Sequence, residues 1–151
     1  MAKEIKRDLI HACEEYLAKK TAVVKSALNG LKEDLENESK SSAGDKYETG
    51  REMINIEWNK LSAQLAQYNQ LRNILSRISN SENTENVSLG SIVYTENANY
   101  FLSIPAGKIT FENSEFFAVG IKSPVAAVLL GKKAKDPFEI NGKKSKITRI
   151  I

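Results

Sequence analysis

Two long apolar seams separated by a short polar turn constrain this chain more than any other feature. Residues 3–37 contain no proline and a single glycine, Gly30. Within them Leu17, Thr21, Val24, Leu28, Leu31 and Leu35 recur in alternating steps of four and three, and Ile10 extends the row one heptad earlier. That spacing lines one face of an α-helix with apolar side chains, as in a coiled coil. The segment NESKSSAG, residues 37–44, is small and polar and reads as a turn. Beyond it Ile54, Leu61, Tyr68 and Leu75 recur every seven residues, with Trp58, Leu65, Leu71 and Ile78 between them. Two long amphipathic helices joined by a short turn must run antiparallel. At 1.5 Å per residue, a helix of about 30 residues spans about 45 Å. The expectation is a helical finger, with Trp58 and Tyr68 in its seam and Leu9 or Ile56 exposed for self-association.

The period breaks at SNSENTENVS, residues 79–88, where a domain boundary is expected. After it the pattern turns strand-like. SIVYT (91–95), NYFLSIP (99–105) and two segments within 108–121 are rich in β-branched and aromatic residues. SPVAAVLLGKK, residues 123–133, has helix signals instead: Ser123 as N-cap, Pro124 at the first position, Gly131 as terminator. PFEIN and SKITRII flank Asn141-Gly142, a hairpin signal. The fold class read from these patterns is α+β. An antiparallel helical hairpin over residues 1–80, with its tip near 38–50, precedes a small antiparallel β domain with one short helix over 86–151.

Charge is unevenly spread. Residues 1–85 hold 13 basic and 14 acidic side chains, a net −1, whereas residues 86–151 hold 9 and 5, a net +4. Residues 33–57 alone hold eight acids and three bases, a net −5, and they surround the turn. The finger therefore has an acidic tip and the C-terminal domain a basic surface. One cysteine and one histidine are too few for a disulfide framework, a cysteine-based zinc site or most catalytic triads. There is no phosphate loop, dinucleotide fingerprint, helix-turn-helix or zinc finger. No apolar run has the roughly 18 residues of a membrane span, and the charged N-terminus lacks a secretory core. A cytoplasmic protein that works by binding is expected, without sequence-specific DNA recognition.

Asp45 and Glu48 are three apart, just after the turn. On a helix they share a face, and two hard carboxylate ligands there suit a Mg²⁺ whose shell a partner completes. The same spacing fits a capping box with Asp45 at the N-cap and Glu48 at N3. His11 and Cys13 are two apart, which points them to different helix faces. Lys132, Lys133, Lys135, Lys143, Lys144 and Lys146 form a basic patch suited to nucleic acid, to an acidic protein surface, or to protecting a sheet edge.

A helical hairpin with an acidic tip, followed by a β domain carrying Ser123-Pro124 and Leu129-Leu130-Gly131-Lys132-Lys133, resembles the Gre family of bacterial transcription elongation factors. Gly90-Ser91-Ile92-Val93 resembles that family's first C-terminal strand, and Ile147 and Ile150 its closing strand. The resemblance implies an FKBP-like C-terminal domain and a finger that enters the secondary channel of RNA polymerase. It also implies that Asp45 and Glu48 help hold a catalytic Mg²⁺ shared with the polymerase, whose own active site cleaves the backtracked RNA 3′ end. On this reading the protein is not itself an enzyme. Ser42 and Tyr47 would shape the tip, and Ser123, Pro124, Lys132 and Lys133 would lie near the docking surface. The chain departs from the family at Lys135-Asp136, where Gly-Asp is usual, and at Tyr47, Thr49 and Gly50 in the tip. Channel-binding relatives that inhibit the polymerase share the architecture, and an FKBP-like chaperone or prolyl isomerase is the rival from another class.

Overall fold

A computed structural model describes the backbone of residues 2–39, 44–78 and 84–151, and side chains within 4–37, 50–78 and 84–151. Helices α1 (Ala2–Ser39) and α2 (Gly44–Ser76) are followed by β1 (Ile92–Thr95), β2 (Asn99–Ser103), β3 (Gly107–Phe111), β4 (Ser114–Gly120), α3 (Pro124–Leu129), β5 (Pro137–Ile140) and β6 (Lys143–Ile150). The α+β expectation therefore stands, and α1 runs through residues 37–39, which the sequence suggested were turn.

The chain divides into two compact units. One is Leu17–Leu71; the other joins Met1–Tyr16 to Arg72–Ile151. Within the first, the heptads select the buried positions. Thr21 and Val24 are buried, and Leu28, Leu31 and Leu35 are half-buried between exposed neighbours. On α2, Ile54, Leu61, Leu65, Tyr68 and Leu71 are half-buried in the same way. Trp58, expected in the seam, is instead exposed, at 39%.

In the second unit a six-stranded sheet has the order β3-β4-β2-β1-β6-β5. Four pairings are antiparallel, as expected, but β2 and β4 are parallel. The chain leaves β2 through Ile104-Pro105-Ala106 and places β3 two positions away. The β3–β4 hairpin then returns β4 into the open slot, alongside β2 and in the same direction. That hairpin turns on Glu112 (φ 47°) and Asn113 (φ 66°), and the β5–β6 hairpin on Asn141 (φ 54°) and Gly142 (φ 80°). Two successive left-handed residues match the twist of the flanking strands.

Val93, Leu102, Ala126, Leu129, Phe138, Ile147 and Ile150 form a buried cluster between one sheet face and α3. Strand alternation sends Ile92, Phe101, Ser103 and Phe116 to the other face, where they too are buried. The Cys13 thiol and the Ser103 hydroxyl hydrogen-bond across 3.7 Å on that side. Leu9 is fully buried, so the expectation of an exposed Leu9 is corrected. Gly90, at φ 90°, leaves no room for a side chain: a Cβ there would lie 2.8 Å from Ile78 Cγ2.

Candidate functional site

The acidic pair is set by the start of α2. Asp45 is the second residue of that helix and Glu48 its fifth, so both lie inside the helix and Asp45 is not its cap. Positions three apart share a helix face, and Glu52, seven beyond Asp45, continues the row. Glu52 is exposed. In the sequence Glu52 counts toward the net charge and, with Thr49, offers a second capping-box spacing; its place in the row follows from the helical period. Carboxylates at the N-terminal turns of a helix also meet the positive end of its dipole. The side chains of Asp45, Tyr47 and Glu48, and all of Ser42, lie outside the described residues. Among the described residues no three His, Cys, Asp or Glu side chains converge as a metal-binding group. Carboxylates are hard oxygen ligands, the type that suits Mg²⁺.

Further along α2, Met53 and Ile56 are 66% and 69% exposed, so the expected exposure of Ile56 is observed. His11 and Cys13 diverge as the spacing required. Exposed His11 pairs with Glu15 at 3.0 Å, while Cys13 is buried. Burial pushes the Cys13 thiol up to about 11, the bond to Ser103 opposing that shift. Such a thiol stays protonated and unreactive at neutral pH.

The Ser-Pro and Leu-Gly-Lys-Lys stretch builds α3 and the loop after it. Ser123 Oγ accepts a hydrogen bond from Ala126 N–H at 3.3 Å, with Pro124 beginning the helix. Gly131, at φ 84°, ends the helix turn. Gly131 N–H donates to Val87 C=O, and Val87 N–H donates to Lys132 C=O, both at 2.9 Å. Asp136 Oδ2 accepts Lys133 N–H at 2.7 Å, and Lys135 N–H donates to Ile147 C=O at 2.7 Å. These bonds present Lys133 as an exposed side chain and Lys132 as a half-buried one. Lys135 sits at φ 74°, a conformation that favours glycine.

Among the described residues, Phe101, Phe116 and Phe117 do not share one face of the sheet. Phe101 and Phe116 are buried on one sheet face, and Phe117 stands on the other, 6.2 Å from the Tyr100 ring. A prolyl-peptide site needs convergent aromatic walls, and these residues do not provide them. Burial raises the pKa of the Tyr94 and Tyr100 phenols, with Arg149 opposing the shift at Tyr94. Among the described residues no helix is long and apolar enough to cross a membrane.

Two solved structures are similar to this chain. The crystal structure of GreA factor homolog 1 (Gfh1) of Thermus thermophilus is 19% identical, with 91% of this chain and 93% of that chain covered and a TM-score of 0.35. A second structure of the transcription factor Gfh1 is 19% identical, with 89% of each chain covered and a TM-score of 0.35. No protein-family profile and no curated protein matches the chain.

Proposed function

We propose that this protein is a Gre-like transcription factor that binds RNA polymerase through the secondary channel and stimulates cleavage of backtracked RNA. The observation that carries the reading is the position of Asp45 and Glu48 on one face of α2, directly after the connection between two long helices. A hairpin of this kind can deliver two carboxylates into a narrow site that a globular surface cannot enter. Asp45 and Glu48 supply two oxygen ligands and orient them from one helical face; the polymerase supplies the remaining ligands and the RNA. A Mg²⁺ bound there lowers the pKa of its water and offsets charge on the phosphate. The chain itself is then not a nuclease, and its setting is cytoplasmic. Ser123 and Pro124 shape the docking surface by fixing α3, and Lys132 and Lys133 contact acidic groups on the polymerase.

Direct binding to bacterial core RNA polymerase, read by fluorescence, tests the partner. Wild type is expected to bind. Lys132→Glu/Lys133→Glu should weaken affinity about tenfold, equivalent to ~1.4 kcal/mol. Asp45→Ala/Glu48→Ala should bind nearly as well as wild type. No binding by wild type would overturn the proposal.

A further inference from the structure

The finger and the α3 loop leave one charged surface unused, on the β5–β6 hairpin. Strand β6 buries Ser145, Ile147 and Ile150 in alternation and exposes Lys144, Lys146 and Arg149. The pairing of β6 with β1 shifts between Tyr94 and Thr95, because Arg149 faces Tyr94 while Ile147 faces Thr95. Thr148 is the extra residue, and its hydroxyl donates to Tyr94 C=O at 3.1 Å. This bulge returns Arg149 to the face already occupied by Lys144 and Lys146, instead of letting the alternation bury it. Lys143 is exposed at the hairpin turn, and Lys135 is held beside the row by its bond to Ile147.

Four cations are thus gathered on one hairpin, with Lys135 just before it. Among the described residues none of them forms an ion pair. Glu139 stands opposite Lys144 in the β5–β6 register without pairing to it, and the Asp136 carboxylate is engaged by Lys133 N–H. β6 pairs with β5 over Lys143–Lys146 and with β1 over Ile147–Ile150, and the edge strand β5 begins with Pro137 and contains no lysine. The neighbouring Tyr94 ring carries Arg149 at 5.8 Å from its centroid and contacts Phe116 edge-on.

We infer that this face of the β5–β6 hairpin binds the phosphodiester backbone of nucleic acid, independently of sequence. Lysine ammonium groups act as point charges and impose no base geometry, and a row of them follows a phosphate chain. Such binding is driven by counterion release and falls steeply with salt. The inference stands apart from the polymerase reading, because it concerns the protein and free nucleic acid alone.

Fluorescence anisotropy with a labelled 20-nucleotide RNA and a 20-base-pair DNA duplex tests it, over 50 to 200 mM salt. About four phosphate contacts on single-stranded RNA predict about a 50-fold loss of affinity across that range. Lys144→Gln/Lys146→Gln should reduce the loss to about sevenfold. Lys108→Gln/Lys122→Gln, elsewhere on the domain, should leave it unchanged, and circular dichroism verifies that each variant is folded. The RNA and duplex arms show which backbone is preferred, and binding to either with this salt and variant dependence supports the inference. It is overturned by binding to neither, by a salt response that the Lys144/Lys146 variant does not alter, or by capture of polyglutamate without nucleic acid.

Discussion

Two stretches of α1 carry the same kind of apolar row and end at different depths. Leu9 and Cys13 are fully buried, whereas Leu28, Leu31 and Leu35 remain half-buried. The first stretch belongs to the unit that contains the sheet; the second belongs to Leu17–Leu71, a unit of two helices in which Leu17, Thr21 and Val24 are buried. A helical pair covers one stripe of each helix and leaves the rest in water. Sequence period decides which residues turn inward. The number of neighbouring elements decides how far inward they go, and therefore how much each contributes. Burial of large side chains is more complete in the sheet unit, where Phe101, Phe116, Ile92 and Ile147 are at most 1% exposed.

The largest stability effect should separate the two units directly. Phe101 is fully buried at the centre of the sheet, and Phe101→Ala should cost about 3–5 kcal/mol. Leu31→Ala removes a half-buried side chain and should cost about 1–2 kcal/mol, near the area lost from water. Urea unfolding of the two variants measures the contrast. Equal costs would break the comparison.

A second contrast depends on pH. The folded Cys13 pKa of about 11 lies above its ordinary value of 9.0, so the folded state holds the thiol proton more tightly. Its stabilising contribution is complete below pH 9.0 and is lost as pH rises towards about 11. Cys13→Ala removes this titration. The melting temperature of wild type should therefore fall more steeply than that of Cys13→Ala between these pH values, and parallel curves would contradict the burial account.

The smallest effects come from two opposite glycine exchanges. Gly30 lies inside α1, and a methyl group added there would meet nothing within 4 Å, so Gly30→Ala should stabilise by about 0.5–1 kcal/mol. Lys135 is at φ 74°, and Lys135→Gly should stabilise by about 1 kcal/mol by removing a left-handed side chain. Thermal melts of both variants sharpen the comparison, one in each unit.

Much of this architecture is legible in the sequence. The heptads name the inward face of both helices, and Ser123, Pro124 and Gly131 bound α3 because capping chemistry is local. Asn141-Gly142 marks the final hairpin for the same reason. The parallel β2–β4 pair is not legible, because strand order depends on contacts between segments that local pattern does not encode. Leu9 is misplaced by the heptad, which identifies a stripe but cannot show that the sheet unit also encloses its flank. At the tip, spacing places Asp45 and Glu48 on one face, yet cannot choose between a cap and a position within the helix. The backbone of α2 makes that choice. The Thr148 bulge, which gathers Arg149 with the lysines, has no local sequence mark.

The proposed function has the paired carboxylates act inside the polymerase. Its most direct measurement is the release of short 3′ fragments from labelled RNA in a halted, backtracked RNA polymerase complex with Mg²⁺. Wild type should accelerate cleavage, and Asp45→Ala/Glu48→Ala should bind the complex without accelerating it. Acceleration by both proteins, or binding by wild type with no acceleration, would contradict the assigned role of Asp45 and Glu48.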